Sequence, residues 1–379
     1  PNDLKTPFAN RHAASLRALY DLADLERSRF IYQTGQSGLV FSTRYRDMRD
    51  TWAAVNLARP GTANTPRSAL LATKDGRLVT VATIPGTIED VDVEGVSGWA
   101  VGSRRTSTGY STTVFRLADG GWTPVLSANP GEWENDLRAV ATDQAGNAWA
   151  VGTSADLGKS RRPLLVRLDG RGGQVLPVGI VRGELNDVAI HRSEGWAVGT
   201  RRVGSRDQGL VLKWDGDAWT PVPFPRSIAG TILTSVTFGP DGTAWAAGYQ
   251  PSNVDIFGDA LASSGALAYR WDGKVWTRVR VRGLPSGAAL TSIASDGRAV
   301  VAVGQVSSGD ITTSLSVVLS DPEGEAASFG GPLPTSLASV ASTAGGGFVA
   351  GGRAVNAPRL PFSGSSRAFA ARLCLHVGN

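Results

Sequence analysis

Four residues, Trp-Ala-Val-Gly, return at a nearly constant interval: Trp99–Gly102, Trp149–Gly152 and Trp196–Gly199, with Trp-Ala-Ala-Gly at Trp245–Gly248. Weaker copies stand at Trp52–Val55, Val301–Gly304 and Phe348–Gly351. The first residues of successive copies are 47, 50, 47, 49, 56 and 47 positions apart. A fixed period of this size belongs to chains built from one repeated supersecondary unit. Each unit buries its apolar face against its neighbours, so 379 residues need not divide into several domains.

The text around the phrase fills out the unit. An alternating apolar run precedes it, as at Leu137–Ala141, Leu185–Ile190, Leu233–Phe238, Leu290–Ala294 and Leu337–Ala341. A polar loop follows, then a third run that ends in a turn, as in Thr113–Gly120, Leu164–Gly170, Leu210–Gly216 and Leu267–Gly273. A fourth run follows at Trp122–Val125, Trp219–Val222 and Trp276–Val279. Four short strands with Gly- and Asp-rich turns make one blade of a β-propeller, and seven copies predict seven blades. The Asp-Gly pairs at 75–76, 119–120, 169–170, 215–216 and 272–273 read as tight hairpin turns with positive φ. Trp122, Trp219 and Trp276 are expected to pack between adjacent blades, and Trp99, Trp149, Trp196 and Trp245 to serve the scaffold as well.

The sixth copy lacks both tryptophans, and its turn reads Ser320-Asp321-Pro322-Glu323-Gly324. The last copy breaks off after its third run, Phe369–Leu373. A ring of blades must cover that open edge. The segment Arg29–Gln33 is predicted to supply the missing outer strand, with Gly38–Arg44 opening the first blade. Before it, Leu16, Leu19, Leu22 and Leu25 recur every three residues behind Asn10, which predicts a short helix. The expected organisation is thus all-β: residues 1–28 an N-terminal helical extension, residues 29–379 a seven-bladed β-propeller of four-stranded blades closed by an N-terminal strand.

Composition narrows the chemistry. Cys374 is the only cysteine and His12, His191 and His376 are far apart, so no disulfide, multi-thiolate metal site or zinc centre is expected, and no cofactor. No apolar run approaches ~18 residues, the length of a membrane-spanning helix. The chain opens Pro-Asn-Asp without an initiator Met, which suggests that a preceding segment has been removed. The net charge of +5 comes from 33 arginines and five lysines against 33 acids, and arginine grips carboxylates, sulfates and phosphates with a planar fork.

The loops between second and third strands emerge on the face where propellers usually carry ligands. They are read as 56–67, 103–111, 153–162, 200–208, 249–265, 305–313 and 353–367. They hold thirteen basic and five acidic residues, an excess of eight on one rim. The densest basic run is Arg104, Arg105, Arg161, Arg162, Arg201 and Arg202 in blades 2, 3 and 4, while blades 5 and 6 contribute only acids. Such a rim suits an anionic partner such as an acidic polysaccharide. Nucleic acid is disfavoured because few aromatics interleave with the arginines. Trp133, flanked by Glu132, Glu134 and Asn135, lies outside the repeat and is the foremost ligand-contact candidate, with Tyr110 and Tyr249. Phe257, Phe362, Arg353 and Arg359 are candidate partner contacts.

The unit resembles the Trp-Ala-Val-Gly propeller repeats of secreted bacterial proteins, especially from actinobacteria. The segment Arg270–Thr277 is similar to the Asp-box turn of sialidase-like propellers, and the blade order resembles photosystem II assembly factors. The size and repeat style are similar to propeller lectin subunits of secreted toxin particles in streptomycetes. The resemblance implies a secreted, non-catalytic module: lectin-like toward cell-surface or polymeric glycans, or a protein-docking scaffold in a secreted complex, without membrane insertion. A sialidase-like glycosidase using Tyr110 with Glu132 or Glu134 is the enzymatic alternative. Against it, the Phe/Tyr-Arg-Ile-Pro phrase of sialidases is absent, and paired carboxylates are scarce in the loops.

Overall fold

A computed structural model describes residues 36–42, 52–57, 67–74, 77–143, 145–225, 230–254, 260–308, 311–319, 326–329, 335–342, 347–355 and 366–373. These residues form seven sheets in chain order, six of four strands and the seventh of three. No helix occurs among them. Within every sheet the strands are adjacent in sequence order and antiparallel. The first strand of each sheet packs on the sheet before it. The opening strand Gln36–Ser42 packs on all three strands of sheet 7, Thr335–Ser342, Phe348–Val355 and Ser366–Leu373, so the sheets close into a ring. This is a β-propeller. The expected helix and the expected closing strand at Arg29–Gln33 lie outside the described residues, as do the turns at Asp75-Gly76 and Ser320–Gly324.

Each letter of the repeated phrase has a physical task. Side chains alternate across a strand, so Trp and Val face the following sheet while Ala faces the preceding one. Trp99 and Val101 of sheet 2 bury against Ala148 and Ala150 of sheet 3, and Trp149 and Val151 in turn against Ala197 of sheet 4. The glycine answers a β-bulge. In sheets 2 to 7 the first strand carries one extra residue: Glu89, Arg138, Asn186, Thr234, Thr291 and Ala338. The bulge presses a first-strand carbonyl onto the glycine, and a methyl group on Gly152 would overlap the carbonyl oxygen of Asp136. The pairing also corrects the last copy. Val340 lies opposite Ala350, as Val140 lies opposite Ala150, so the phrase in sheet 7 is Val349–Gly352, one residue later than the spacing suggested.

The tryptophans pack as scaffold residues. Trp149 meets Trp214 and Trp219 of sheet 4 at ring-centroid distances of 4.7 and 5.6 Å, and Trp196 meets Trp271 and Trp276 of sheet 5 at 5.0 and 5.1 Å. Trp122 packs on the cluster shared by sheets 1 and 2. Directly across from each phrase tryptophan stands a cation on the third strand: Arg116 over Trp99, Arg167 over Trp149, Lys213 over Trp196 and Arg270 over Trp245, at 5.4–5.7 Å. Such contacts are worth about 0.5–1 kcal/mol each near a surface.

The Asp-Gly turns meet the expectation in part: Gly120, Gly216 and Gly273 have positive φ, but of the described aspartates at these turns Asp119 alone does. At Asp119-Gly120 both residues have positive φ, 52° and 78°, as a type I′ turn requires. Elsewhere the aspartate works through its carboxylate. Asp215 Oδ1 accepts the N–H groups of Asp217 and Ala218 at 3.0 Å each, and Asp272 Oδ1 those of Lys274 and Val275 at 2.8 Å each. Asp169 does the same with Arg171 and Gly172. These backbone donors stabilise the ionised carboxylates and hold all three aspartates below the usual carboxylate pKa.

Candidate functional site

The connection from sheet 2 to sheet 3, residues 125–133, is bound on several sides. Asn135, 2% exposed, accepts the Gly131 N–H at 2.8 Å and donates its amide to the carbonyls of Gly131 (2.7 Å) and Tyr110 (3.2 Å). Asn129 accepts the backbone N–H of Thr112 at 2.7 Å. Trp133 donates its N–H to Ala155 O and accepts the Tyr110 N–H on its own carbonyl, at 3.0 and 2.8 Å. Gly109, with φ of 153°, lies so close that a methyl group there would overlap the Trp133 carbonyl. The backbone of Trp133 therefore bridges the third strand of sheet 2 at Tyr110 and the second strand of sheet 3 at Ala155, while the residue stays 43% exposed. Tyr110 is exposed to the same extent. Neither ring stacks on another aromatic among the described residues.

The rim charges are less available than the sequence suggested. Arg161 binds Glu134 at 3.0 Å and lies 4.0 Å from Glu184. Arg162 grips both oxygens of Asp156 at 2.9 Å and reaches the Pro130 carbonyl at 3.3 Å. Arg202 binds Asp207 at 2.7 Å. Arg138, a bulge residue, contacts Glu184 (3.0 Å), Asp136 (3.6 Å) and Asn186 (2.6 Å). Arg104 and Arg105 are exposed and have no ion pair among the described residues. They also lie elsewhere than expected. The strand Ser97–Arg105 runs to the rim and Tyr110–Ala118 returns from it, so 103–111 is mostly hairpin rather than loop. Arg201 and Arg202 likewise end the strand Glu194–Val203. Paired strands persist because the backbone groups at the rim still find partners across the hairpin.

The structure gathers Arg105, Tyr110, Trp133, Arg161 and Arg162 around the junction of sheets 2 and 3, and leaves Arg104 beside Gly86 at the junction of sheets 1 and 2. It leaves Arg201 and Arg202 on sheet 4 and Tyr249 on sheet 5. Arg353 lies on the strand Phe348–Val355, and Phe257, Arg359 and Phe362 fall outside the described residues.

One feature escaped the sequence reading. The first strands surround a cavity of about 450 Å³ lined by Asp90, Asp92 and Asp187 and, toward the opposite face, by Glu94, His191 and Arg192. Asp90 accepts the N–H of Val140 in the next sheet at 2.8 Å. Asp187 accepts the Ser235 hydroxyl (2.6 Å) and the Val236 N–H (2.8 Å), and Asp92 the Thr142 N–H (2.6 Å). Ser235 and Ser292 repeat the link toward Ile293 and Val340. The carboxylates are thus clasps between sheets. Burial pushes Asp187 up to about 6 and Asp90 well above its ordinary value. The signal was present as the phrase Ile/Leu-x-Asp/Ser-Val/Ile in sheets 2, 4, 5, 6 and 7, as in Leu185–Val188 and Leu290–Ile293, with Ala139 in the acid's place in sheet 3. Among the described residues no group of three or more His, Cys, Asp and Glu side chains is placed to hold a metal ion.

Fold and rim together define a β-propeller with an aromatic-bearing loop at one sheet junction. Solved propellers similar to this chain include YCF48 bound to a D1 peptide, with 15% identity, a TM-score of 0.52, and coverage of 92% of this chain and 98% of that one. An ulvan lyase described as a new polysaccharide lyase family is similar at 7% identity and a TM-score of 0.51, covering 89% and 94% of the two chains. Residues 1–68 match the penicillin amidase family, a stretch that leaves six of the seven sheets outside it. No curated protein matches the sequence.

Proposed function

We propose that this propeller is a non-catalytic recognition module that binds glycans at the junction of sheets 2 and 3. The observation that supports it is Trp133: a large indole kept in water by a loop whose backbone is tied down on several sides. A pre-ordered, amphipathic ring loses little conformational freedom when a ligand covers it. The apolar face of a sugar ring is a suitable cover, with Tyr110 extending the surface. The enzymatic alternative is weakened by Glu134, which is held by Arg161 at 3.0 Å. The secreted location and the place in a multi-subunit assembly implied by the resemblance belong to this proposal, and fractionation of the native source tests both.

A second reading, protein docking on the same face, is favoured by Leu157, which stands 68% exposed beside Asp156, the residue that binds the Trp133 loop. Similar propellers include one bound to a peptide and one that is a polysaccharide lyase, so the fold admits both partners. A glycan array separates the readings. Defined glycan hits that weaken at least tenfold in Trp133→Ala are expected. An array without hits, together with a protein that co-purifies with the wild type and is lost from Trp133→Ala, establishes docking instead.

A further inference from the structure

We propose that the glycan is anionic and that Arg105, rather than its neighbour Arg104, reads the charge. This inference rests on the glycan reading above. The two arginines are adjacent in sequence, equally charged and both exposed, but the strand places them on opposite faces. Trp99 and Val101 bury against sheet 3, and alternation carries Ser103 and Arg105 to that same side. Arg104 turns toward the preceding junction, where its Cβ approaches Gly86. Arg105 is the direct cross-strand partner of Tyr110, and Tyr110 donates its N–H to the carbonyl of Trp133 at 2.8 Å. Directly opposite side chains have Cβ atoms roughly 4.5–5.5 Å apart. The backbones of Arg105, Tyr110 and Trp133 therefore lie side by side across three neighbouring segments, the first carrying an exposed guanidinium and the other two exposed rings.

The surrounding charges sharpen the assignment. Arg161 and Arg162 are bound to Glu134 and Asp156, which removes two cations and two carboxylates from the ligand's reach. Lys159, on the turn beside Leu157, is exposed and has no ion pair among the described residues. Glu132, exposed next to Trp133, is the opposing acid. On this side of the strand the balance leaves Arg105 and Lys159 against Glu132. A guanidinium beside aromatic rings suits a sugar that carries a sulfate or carboxylate on an otherwise stackable ring, because Arg binds such groups with two parallel N–H donors.

Calorimetric titration at 0.15 M salt tests this with two pairs of polymers: dextran sulfate against dextran, and polygalacturonate against its methyl ester. The pair in which the charged member binds at least tenfold more tightly identifies the anion as sulfate or carboxylate. Arg105→Ala is expected to erase that preference, with affinity falling at least tenfold, while Arg104→Ala changes it less than threefold. The two variants remove the same charge one residue apart, so general electrostatic attraction predicts equal losses. Equal losses overturn the inference, as does equal binding of charged and neutral polymers. Neutral binding that disappears in Trp133→Ala would leave the glycan reading standing while this inference falls. No binding to any polymer, with an array also silent, removes both. Unchanged thermal unfolding of each variant shows that the comparison is between folded proteins.

Discussion

At the residue scale the propeller is decided by where a methyl group can and cannot go. The phrase glycines accept a carbonyl pressed on them by the bulge, and Gly109 accepts the carbonyl of Trp133 at the rim. Gly109 is the more informative, because it joins the scaffold to the proposed site and combines close contact with a φ of 153°. Gly109→Ala must move the 125–133 connection or break the Tyr110–Trp133 hydrogen bond. The expected cost is about 1–3 kcal/mol in chemical denaturation, with ligand affinity lost alongside. A variant with wild-type stability and binding would show that the contact is dispensable.

At the scale of strands, the joints between sheets depend on polar side chains as much as on tryptophan. Asn186 donates to Leu233 O, Thr234 to Leu290 O and Thr291 to Leu337 O, each a bulge residue reaching the next sheet, at 2.7–2.9 Å. Asp90 and Asp187 add acceptor clasps one residue further on. Asp187 gives this joint a pH signature. Desolvation, the largest cause, lifts it from an ordinary 3.8 to about 6; the Ser235 hydroxyl and the Val236 and Val188 N–H groups oppose that rise, and the Asp92 carboxylate adds to it. A folded value above the unfolded one means that the protonated acid favours the fold. This contribution is fully present below about pH 4 and is lost as pH rises to about 6. The gap corresponds to on the order of 3 kcal/mol. Asp187→Asn cannot titrate, so thermal unfolding followed from pH 4 to 6 should show a smaller decline than the wild type. Asp90 is raised in the same direction and keeps part of the slope. An unchanged profile would place the titration elsewhere.

For the whole molecule, closure distinguishes a ring from an open stack of repeats. Sheet 7 lies against sheet 6 on one side and the opening strand Gln36–Ser42 on the other. Truncation after Ser342 removes two of its three described strands and uncovers the cluster around Val301 and Val303. A linear array would lose about the signal of one repeat. The ring is expected to lose its cooperative thermal transition, measured by circular dichroism, because both neighbours of the missing sheet are exposed at once. A shortened chain that unfolds with most of the wild-type signal and cooperativity would argue against closure by contact.

What the sequence determined by itself was periodic and local. The interval of the phrase, the alternation of the runs and the tryptophans that recur with them predicted a β-propeller, because each of these signals depends on neighbours along one strand or hairpin. Trp133 was legible as a residue outside the repeat. What only the tertiary structure decided involves residues far apart in the chain. Arg161 meets Glu134, and Arg138 meets Glu184, across separate strands and sheets, so no charge count could tell the bound arginines from Arg104 and Arg105. The one-residue offset of the last copy came from register, and the clasping role of Asp90 and Asp187 from closure of the ring. Which of Arg105 and Arg104 lies on the side of sheet 3 came from strand parity relative to the next sheet. Ion pairing, register and facing are properties of contact between segments, and a one-dimensional repeat does not contain them.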